Sequence, residues 1–278
     1  MGQESELLAC ALASPDRVAV HDRAGWLALF AEDAVVEDPV GAAPNRRGQG
    51  GRGGRDELEC FYDTFIAPNA IRFEPHLDVV AGCEVARDVT IHTRMASGFE
   101  LAVPALLLYR LRVGVGGEVS IVRLAAHWQL PVLSLKTMMG GWRGLKTMIS
   151  LTARMLSNQG VGGSLGYMQG MIRGMSGRRR ARVRGFLEAT LGGDVVALGE
   201  QFGGGEIRIE HPVDRVVEAA RWLGEVEGLE LDRVTPAGWT VACRFALRRA
   251  GEQERGLVFF ELDPGSRRLA RVRFFVTR

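Results

Sequence analysis

Residues 29–41 have the sequence LFAEDAVVEDPVG, and this stretch decides how the chain is organised. The acidic pair Glu32-Asp33 is expected to end a helix, and the β-branched residues that follow predict a short strand. Pro39 lacks an amide proton, so it belongs at the edge or the end of a strand. Asp38 is therefore expected where a strand stops, either as a turn residue or as a functional base.

The composition indicates a globular protein with a substantial core. The chain has 278 residues, enough for one large or two ordinary domains, and 46% of them are hydrophobic. A formal net charge of +2 gives no reason to expect a nucleic-acid partner. No transmembrane run and no secretion signal are recognisable, and the cysteines lack Cys-x-x-Cys spacing. These features together predict free thiols in a cytoplasmic protein.

The first 130 residues predict three helices followed by a curved antiparallel sheet. Asp22 is a plausible N-cap of the second helix, and it precedes Trp26 and Phe30, whose spacing places them on one helical face. A third, aromatic helix is expected near residues 56–65. The expected strands lie near residues 71–80, 84–95, 99–111 and 119–128. Helices followed by strands predict an α+β fold.

Residues 41–55 are rich in glycine and arginine, which predicts a solvated loop. A phosphate-binding loop would need a lysine followed by Ser or Thr at the start of a helix. This stretch contains no lysine.

Residues 134–176 differ in composition from the rest of the chain. Seven of the nine methionines lie here, and no acidic residue occurs between Glu118 and Glu188. One interpretation is a pair of connecting helices that pack on a domain through methionine. The other is a basic amphipathic segment that contacts a membrane or covers a pocket. We prefer the first, and the sequence leaves both open.

The last hundred residues repeat the pattern of the first part. A helix beginning at Asp194 has the spacing of the helix beginning at Asp22, and the sequence IEHPV at residues 209–213 resembles VEDPV at residues 36–40. The repeat indicates a second copy of one domain type.

We therefore predict a domain at residues 1–132, a Met/Gly-rich basic helical linker at 133–179, and a second, divergent domain at 180–278. His211 stands in the second copy where Asp38 stands in the first, which makes it the candidate functional residue there. The histidines are dispersed without metal-ligand spacing, so neither a metal nor another cofactor is expected.

The two N-terminal helices, residues 29–41, the pair Phe61-Tyr62 and the following sheet resemble the ketosteroid isomerase branch of the nuclear-transport-factor-2-like superfamily, which includes polyketide-cyclase-like proteins. The resemblance covers about residues 5–130 and is most specific around Asp38. It implies a conical α+β fold in which a bent sheet wraps a long helix around an apolar pocket. The repeat then implies two such domains in tandem.

The resemblance further implies that Asp38 is a base that moves a proton between two carbons next to an enone. Enzymes of this branch combine such a base with an oxyanion hole made by a Tyr and a protonated Asp. Tyr62 aligns with a tyrosine that supports the hydrogen-bond network. The two oxyanion donors align with Ser14 and Leu106, so an atypical oxyanion hole is expected, and one lost donor typically costs about 2.7–4 kcal/mol.

Strand alternation predicts which side chains face the pocket. If Leu106 points inward, Tyr109 points outward. In the last strand, Trp128 is expected to point inward and His127 outward. The predicted ligand-binding residues are Trp26, Phe30, Tyr62, Leu106, Leu124 and Trp128. Such a lining suits an apolar, steroid- or terpenoid-like ligand.

The predicted function is the binding of a small apolar ligand, with base-assisted double-bond isomerisation through Asp38 as the activity. The alternative is a non-catalytic ligand-binding or dimerisation module of the same fold, peripheral to membranes through residues 134–176. The two domains are expected to pack against each other as an intramolecular pseudo-dimer, or the protein is expected to form a homodimer.

Overall fold

Two six-stranded sheets, each with its own helices, form the chain in a computed structural model that describes residues 2–50, 54–129, 141–158 and 177–277. The strand orders are β2-β1-β6-β5-β4-β3 and β8-β7-β12-β11-β10-β9, so the second sheet repeats the topology of the first. Both sheets are mixed, because one neighbouring pair in each is parallel. The predicted α+β class with two domains is confirmed.

The first domain has its elements in the predicted order. Its helices are α1 (Gln3–Ala19), α2 (Arg23–Ala28) and α3 (Glu57–Phe61), the last extended by a π-helical turn (Tyr62–Ile66). Its strands are β1 (Phe30–Glu37), β2 (Asn45–Arg46), β3 (Ala70–Ala81), β4 (Glu84–Arg94), β5 (Glu100–Val113) and β6 (Val119–His127). Asp22 caps α2 as predicted, since its carboxylate accepts a hydrogen bond of 2.8 Å from the Gly25 amide.

The helix end predicted at Glu32-Asp33 is wrong, because the chain is already extended at Phe30. Phe30 is paired with Ile121 of β6, and the Leu29 carbonyl accepts a hydrogen bond from the Ile121 amide. Asp33 instead points to solvent and pairs with Arg112 at 2.7 Å. Strand pairing therefore extends β1 through a pair of charges that were interpreted as a boundary.

The second domain has a similar series of elements after helix α4 (Gly141–Asn158), which lies between the domains in sequence. Its helices are α5 (Gly177–Leu191), α6 (Val195–Gln201) and α7 (Ala219–Glu225). Its strands are β7 (Ile209–Glu210), β8 (Val216–Val217), β9 (Val226–Ala237), β10 (Thr240–Arg249), β11 (Glu252–Leu262) and β12 (Leu269–Val276). Strands β9–β12 were predicted. Helix α7 was not, because it is short and has no side-chain N-cap that would mark its start. The exact domain boundaries stay predictions, and much of the linker segment 133–179 lies outside the described residues.

Asp38 and His211 occupy equivalent places in the two domains. Val36 lies opposite Leu124 in the parallel pair β1–β6, and Ile209 lies opposite Val272 in the parallel pair β7–β12. The first amide after each proline forms an equivalent hydrogen bond in both domains. The Val40 amide donates to β6, and the corresponding amide of the second domain donates to the matching position of β12, both at 2.9 Å. The predicted tandem is therefore confirmed at the level of strand register.

Each sheet packs one face on its own helices and the other face on the opposite sheet. The shared apolar layer consists of Val40, Val79, Ala86, Leu106, Leu108 and Ala125 from the first domain and Val213, Ala237, Ala242, Leu257, Phe259 and Phe275 from the second. At the rim of this layer Gly41 approaches Gly238 so closely that a Cβ on Gly41 would lie 2.5 Å from the Gly238 Cα. The two domains are therefore in backbone contact there.

Buried ion pairs join the two domains within this interface. The fully buried Asp88 contacts Arg233 and lies 3.2 Å from Arg244. Arg273, which is also buried, contacts Glu84 of the first domain and lies 3.1 Å from Glu210 of its own. Because charges taken out of water are stable only when they are paired, these contacts fix the relative position of the sheets.

We expect Arg273→Met to lower the free energy of unfolding by about 3 kcal/mol, since the buried carboxylates of Glu84 and Glu210 lose their shared buried cation and keep only more exposed ones such as Arg110 and Arg208. Urea denaturation measures the change. Arg248→Met is the matched control, because this arginine pairs with Glu227 at an exposed position and should matter little. Equal effects of the two substitutions would contradict the role given to the buried pair.

Candidate functional site

Asp38 lies at the end of β1 and beside the end of β6. Its Oδ1 accepts a hydrogen bond of 2.6 Å from the indole Nε1 of Trp128. Burial raises the pKa of Asp38 to about 6, and the bond from Trp128 acts in the opposite direction by favouring the carboxylate. A carboxyl group with this pKa exchanges protons readily near neutral pH, as a general acid or base must. The peptide bond between Asp38 and Pro39 is cis.

The parallel pairing of β1 with β6 brings Trp128 to Asp38. Glu37 lies opposite Ala125, so both strands end on the same side of the sheet, at their carboxyl ends. Leu124 belongs to the core of the first domain and Trp128 packs against it, as strand alternation predicted. His127 points the other way, and its ring lies 5.1 Å from that of Phe259 in the second domain. The predicted orientations in β6 are thus confirmed.

The three predicted aromatic residues form one cluster between the helices and the sheet. The Trp26 ring lies 4.5 Å from that of Phe30 and 5.5 Å from that of Tyr62. All three are almost completely buried. The Trp26 indole donates a hydrogen bond of 3.2 Å to the Ser14 hydroxyl. The cluster is core packing of the first domain, and a contact with a ligand stays a prediction.

The Tyr62 hydroxyl is buried and has no hydrogen-bond partner among the described residues. Burial raises the pKa of this hydroxyl above its usual range. An unpaired buried hydroxyl costs free energy, so a ligand that bonded to it would recover that cost.

The inward orientation expected for Leu106 is wrong. Leu106 lies in the layer between the domains, whereas Leu107 and Tyr109 face the interior of the first domain. A shift of one residue in alignment turns every side chain of a strand to the opposite face. Because β5 buries apolar residues on both faces, residues 105–108 contain no polar residue that would have fixed the orientation.

Arg87 and Tyr109 were not identified from the sequence, although both face the interior of the first domain and Tyr109 interacts there with Asp38. Arg87 lies opposite Leu107, which packs in the core of the first domain. Its Nε donates a hydrogen bond of 2.7 Å to Asp78, while its Nη1 is buried with no hydrogen-bond partner among the described residues. One N–H group of a buried guanidinium is therefore available to an acceptor inside the domain.

Tyr109 connects these groups electrostatically. Burial raises the pKa of its hydroxyl, the neighbouring Arg87 guanidinium and Ser14 hydroxyl lower it, and the Asp38 carboxylate raises it. Asp38, Tyr109, Arg87 and Ser14 thus act on one interior region. The arrangement offers a carboxylate base together with O–H and N–H donors in an apolar surrounding, where such donors interact strongly.

One sequence signal could have revealed Arg87. The pair Arg87-Asp88 is enclosed in β4 between the apolar residues Val85, Ala86 and Val89, and adjacent strand residues point to opposite faces. Asp88 faces the second domain, so Arg87 has to face the interior of the first domain. A charge enclosed on each face of one strand is costly without a specific partner.

The second domain lacks the polar partners that surround Asp38. The strand registers place Cys243, Phe260 and Val276 where the first domain has Arg87, Tyr109 and Trp128. The His211 ring is buried and bonds through Nε2 to Glu254, while its Nδ1 has no hydrogen-bond partner among the described residues. Burial lowers the pKa of His211. A role for His211 as a base stays a prediction.

Metal-binding and membrane-spanning features are absent from the described ranges. No group of three or more His, Cys, Asp or Glu residues there could hold a metal ion. None of the helices that the structure describes is long and apolar enough to cross a membrane.

Comparison with known proteins identifies the first domain. A family model described as SnoaL-like domain matches residues 12–119, a range that includes Asp38, Tyr62, Arg87 and Tyr109. No curated protein matches the chain significantly.

Solved structures are similar to about half of the chain. The Δ5-3-ketosteroid isomerase from Mycobacterium sp. is 33% identical over 44% of this chain and 92% of its own, with a TM-score of 0.36. A Mycobacterium tuberculosis protein in complex with estradiol-17β-hemisuccinate is 29% identical over 45% of this chain and 95% of its own, with a TM-score of 0.37. A ketosteroid isomerase-like protein from Erwinia carotovora is 17% identical over 45% and 95%, with a TM-score of 0.37.

The family match and the repeated sheet topology agree with the resemblance that residues 29–41 carry. The first domain belongs to the SnoaL-like family of the nuclear-transport-factor-2-like superfamily, and the chain carries two domains of this architecture in tandem.

Proposed function

We propose that the first domain binds a small apolar ligand that carries a carbonyl oxygen, of the steroid or terpenoid type, and shifts a double bond in it with Asp38 as the proton-transferring base. The observation that carries this proposal is the Asp38 carboxyl group, which has a pKa of about 6 and shares one interior with the donors Tyr109 and Arg87. The four cysteines are free thiols, which fits the cytoplasmic location that we propose.

The proposed reaction needs no oxidant or cofactor. The Asp38 carboxylate removes a proton from the carbon between the carbonyl group and the double bond, and the carbonyl oxygen becomes a dienolate oxyanion. Asp38 then returns the same proton to the far carbon of the dienolate, which leaves a conjugated enone. Trp128 bonds to one carboxylate oxygen and leaves the other available to the proton.

The charge that develops on the dienolate oxygen requires donors. The family positions for these donors hold Ser14 and Leu106, and Leu106 faces away from the interior. We propose that the Tyr109 hydroxyl and the unpaired Nη1 of Arg87 take this role instead. The ion pair with Asp78 would hold the guanidinium in place before the reaction, as preorganised stabilisation requires.

The second candidate function is ligand binding without turnover. It is favoured by the absence of a second carboxyl group facing Asp38 from β5, where the family has its protonated acid. Binding of an apolar fluorescent probe, displaced equally by enone and saturated steroids and accompanied by no reaction, would support this alternative over the isomerase.

We also propose that the two domains form an intramolecular pseudo-dimer. The shared apolar layer and the buried pair between Arg273 and Glu84 support it. The Arg273→Met variant bears on this proposal too, because weakening the interface should separate the unfolding of the two domains into two transitions.

Asp38→Asn should abolish the conversion of a 5-ene-3-ketosteroid to its conjugated isomer, because the amide cannot accept the proton. The gain of enone absorbance measures the rate. Asp33→Asn is the matched control, since Asp33 is an exposed carboxylate on the same strand. No turnover of any such enone by the wild-type protein would contradict the isomerase proposal and leave the binding alternative.

The value of kcat/KM should rise with pH through an inflection near 6, because only the Asp38 carboxylate is active. Trp128→Phe removes a hydrogen bond that stabilises the charged form, so the inflection should move to higher pH. Rate profiles over about pH 5 to 8 test this. Trp142→Phe, at an exposed position of α4, serves as the control. An unchanged inflection in Trp128→Phe would refute the assigned role of the indole.

Tyr109→Phe should lower kcat about a hundred- to a thousand-fold, the usual cost of one oxyanion donor, while binding of a saturated steroid changes little. Steady-state kinetics and probe displacement separate the two effects. A parallel loss of binding and thermal stability would indicate that Tyr109 only supports the core.

A further inference from the structure

Helix α4 (Gly141–Asn158) is fixed on the first domain by one of its faces. The Thr147 hydroxyl hydrogen-bonds with Ser97, which lies in the turn between β4 and β5, at 2.5 Å. Near the end of the helix, Asn158 donates a hydrogen bond of 3.1 Å to Thr64 in the π-helical turn after α3. Met155 is buried on the same face as Thr147. The orientation of the helix is therefore set, and its opposite face points away from the domain.

That opposite face exposes large apolar side chains. Trp142, Leu145 and Ile149 have exposed fractions of 76%, 49% and 62%. Their spacing of three and four residues places them within about 60° of one another around the helix, since each residue turns by about 100°. No other tryptophan or isoleucine is exposed in the part of the chain that the structure describes. We call these three residues the α4 stripe.

The surroundings of the α4 stripe are basic. Lys146 is exposed beside it, and α4 carries three Lys and Arg residues and no Asp or Glu. An isologous contact with a second copy would place the cations of the two helices against each other. An apolar stripe that contains tryptophan, flanked by cations and free of acids, is instead complementary to an anionic bilayer surface.

We propose that α4 is an interfacial helix that docks the first domain on anionic phospholipid membranes, with Trp142, Leu145 and Ile149 inserted below the headgroups and Lys146 among them. The helix lies in the plane of the surface, because its other face is occupied by the domain. The docking is independent of catalysis. It would bring the first domain to a phase in which apolar ligands accumulate.

Flotation of the full chain with vesicles tests the proposal. Vesicles of phosphatidylcholine and phosphatidylserine in equal parts should carry the wild-type protein upward, and vesicles of phosphatidylcholine alone should carry much less. Binding should weaken as salt is raised, because the Debye length shortens. Ile149→Glu should lower binding roughly tenfold or more, since a charge replaces an inserted side chain.

Ser150→Glu is the matched control, because it adds the same charge to the neighbouring exposed position outside the α4 stripe. It should keep most of the binding, and circular dichroism should show both variants folded. Absence of flotation, equal flotation on neutral vesicles, or equal losses in both variants would overturn the proposal. Dimerisation that Ile149→Glu abolishes, without flotation of the wild-type protein, would assign the stripe to a second copy instead.

Discussion

The strands of both sheets have to bury two faces, and this requirement decides where each functional side chain points. One face packs on the helices of the same domain and the other on the opposite sheet. In β4 the requirement separates neighbours, so that Asp88 joins the domains while Arg87 enters the interior of the first. In β5 it sends Leu106 to the interface and Tyr109 towards Asp38. The interface between the domains therefore selects which residues can form the site.

The candidate site lies at the end of the sheet where the neighbouring strands β1 and β6 both stop. Parallel pairing places Asp38 next to Trp128, and burial at that edge raises the pKa of the carboxyl group towards neutrality. The second domain keeps this topology, but Cys243 and Phe260 replace Arg87 and Tyr109, and His211 is paired with Glu254, which also contacts Arg249. The first copy has a carboxylate whose pKa lies near neutrality together with the donors Tyr109 and Arg87, which is the physical reason for placing the proposed chemistry there.

The sequence predicted most local features, because they depend on local rules, although β1 begins at Phe30 and not after Asp33. The N-cap at Asp22, the strand that leads to Asp38 and the repeat at residues 209–213 all follow from short-range patterns. The orientation of Leu106 failed, since an apolar run buried on both faces carries no alternation that reveals its direction. Arg87 was not predicted because its role depends on partners that are distant in sequence, and a single sequence does not show which residues pair across the sheet.

The close approach of Gly41 and Gly238 gives the second domain a part in the site that it does not itself contain. Both glycines have positive φ angles, and neither has room for a side chain against the other. Gly41 lies three residues beyond Asp38, so the turn between β9 and β10 acts as a stop for the segment that carries the base. A side chain at either glycine would push the two backbones apart and displace the segment that carries Asp38.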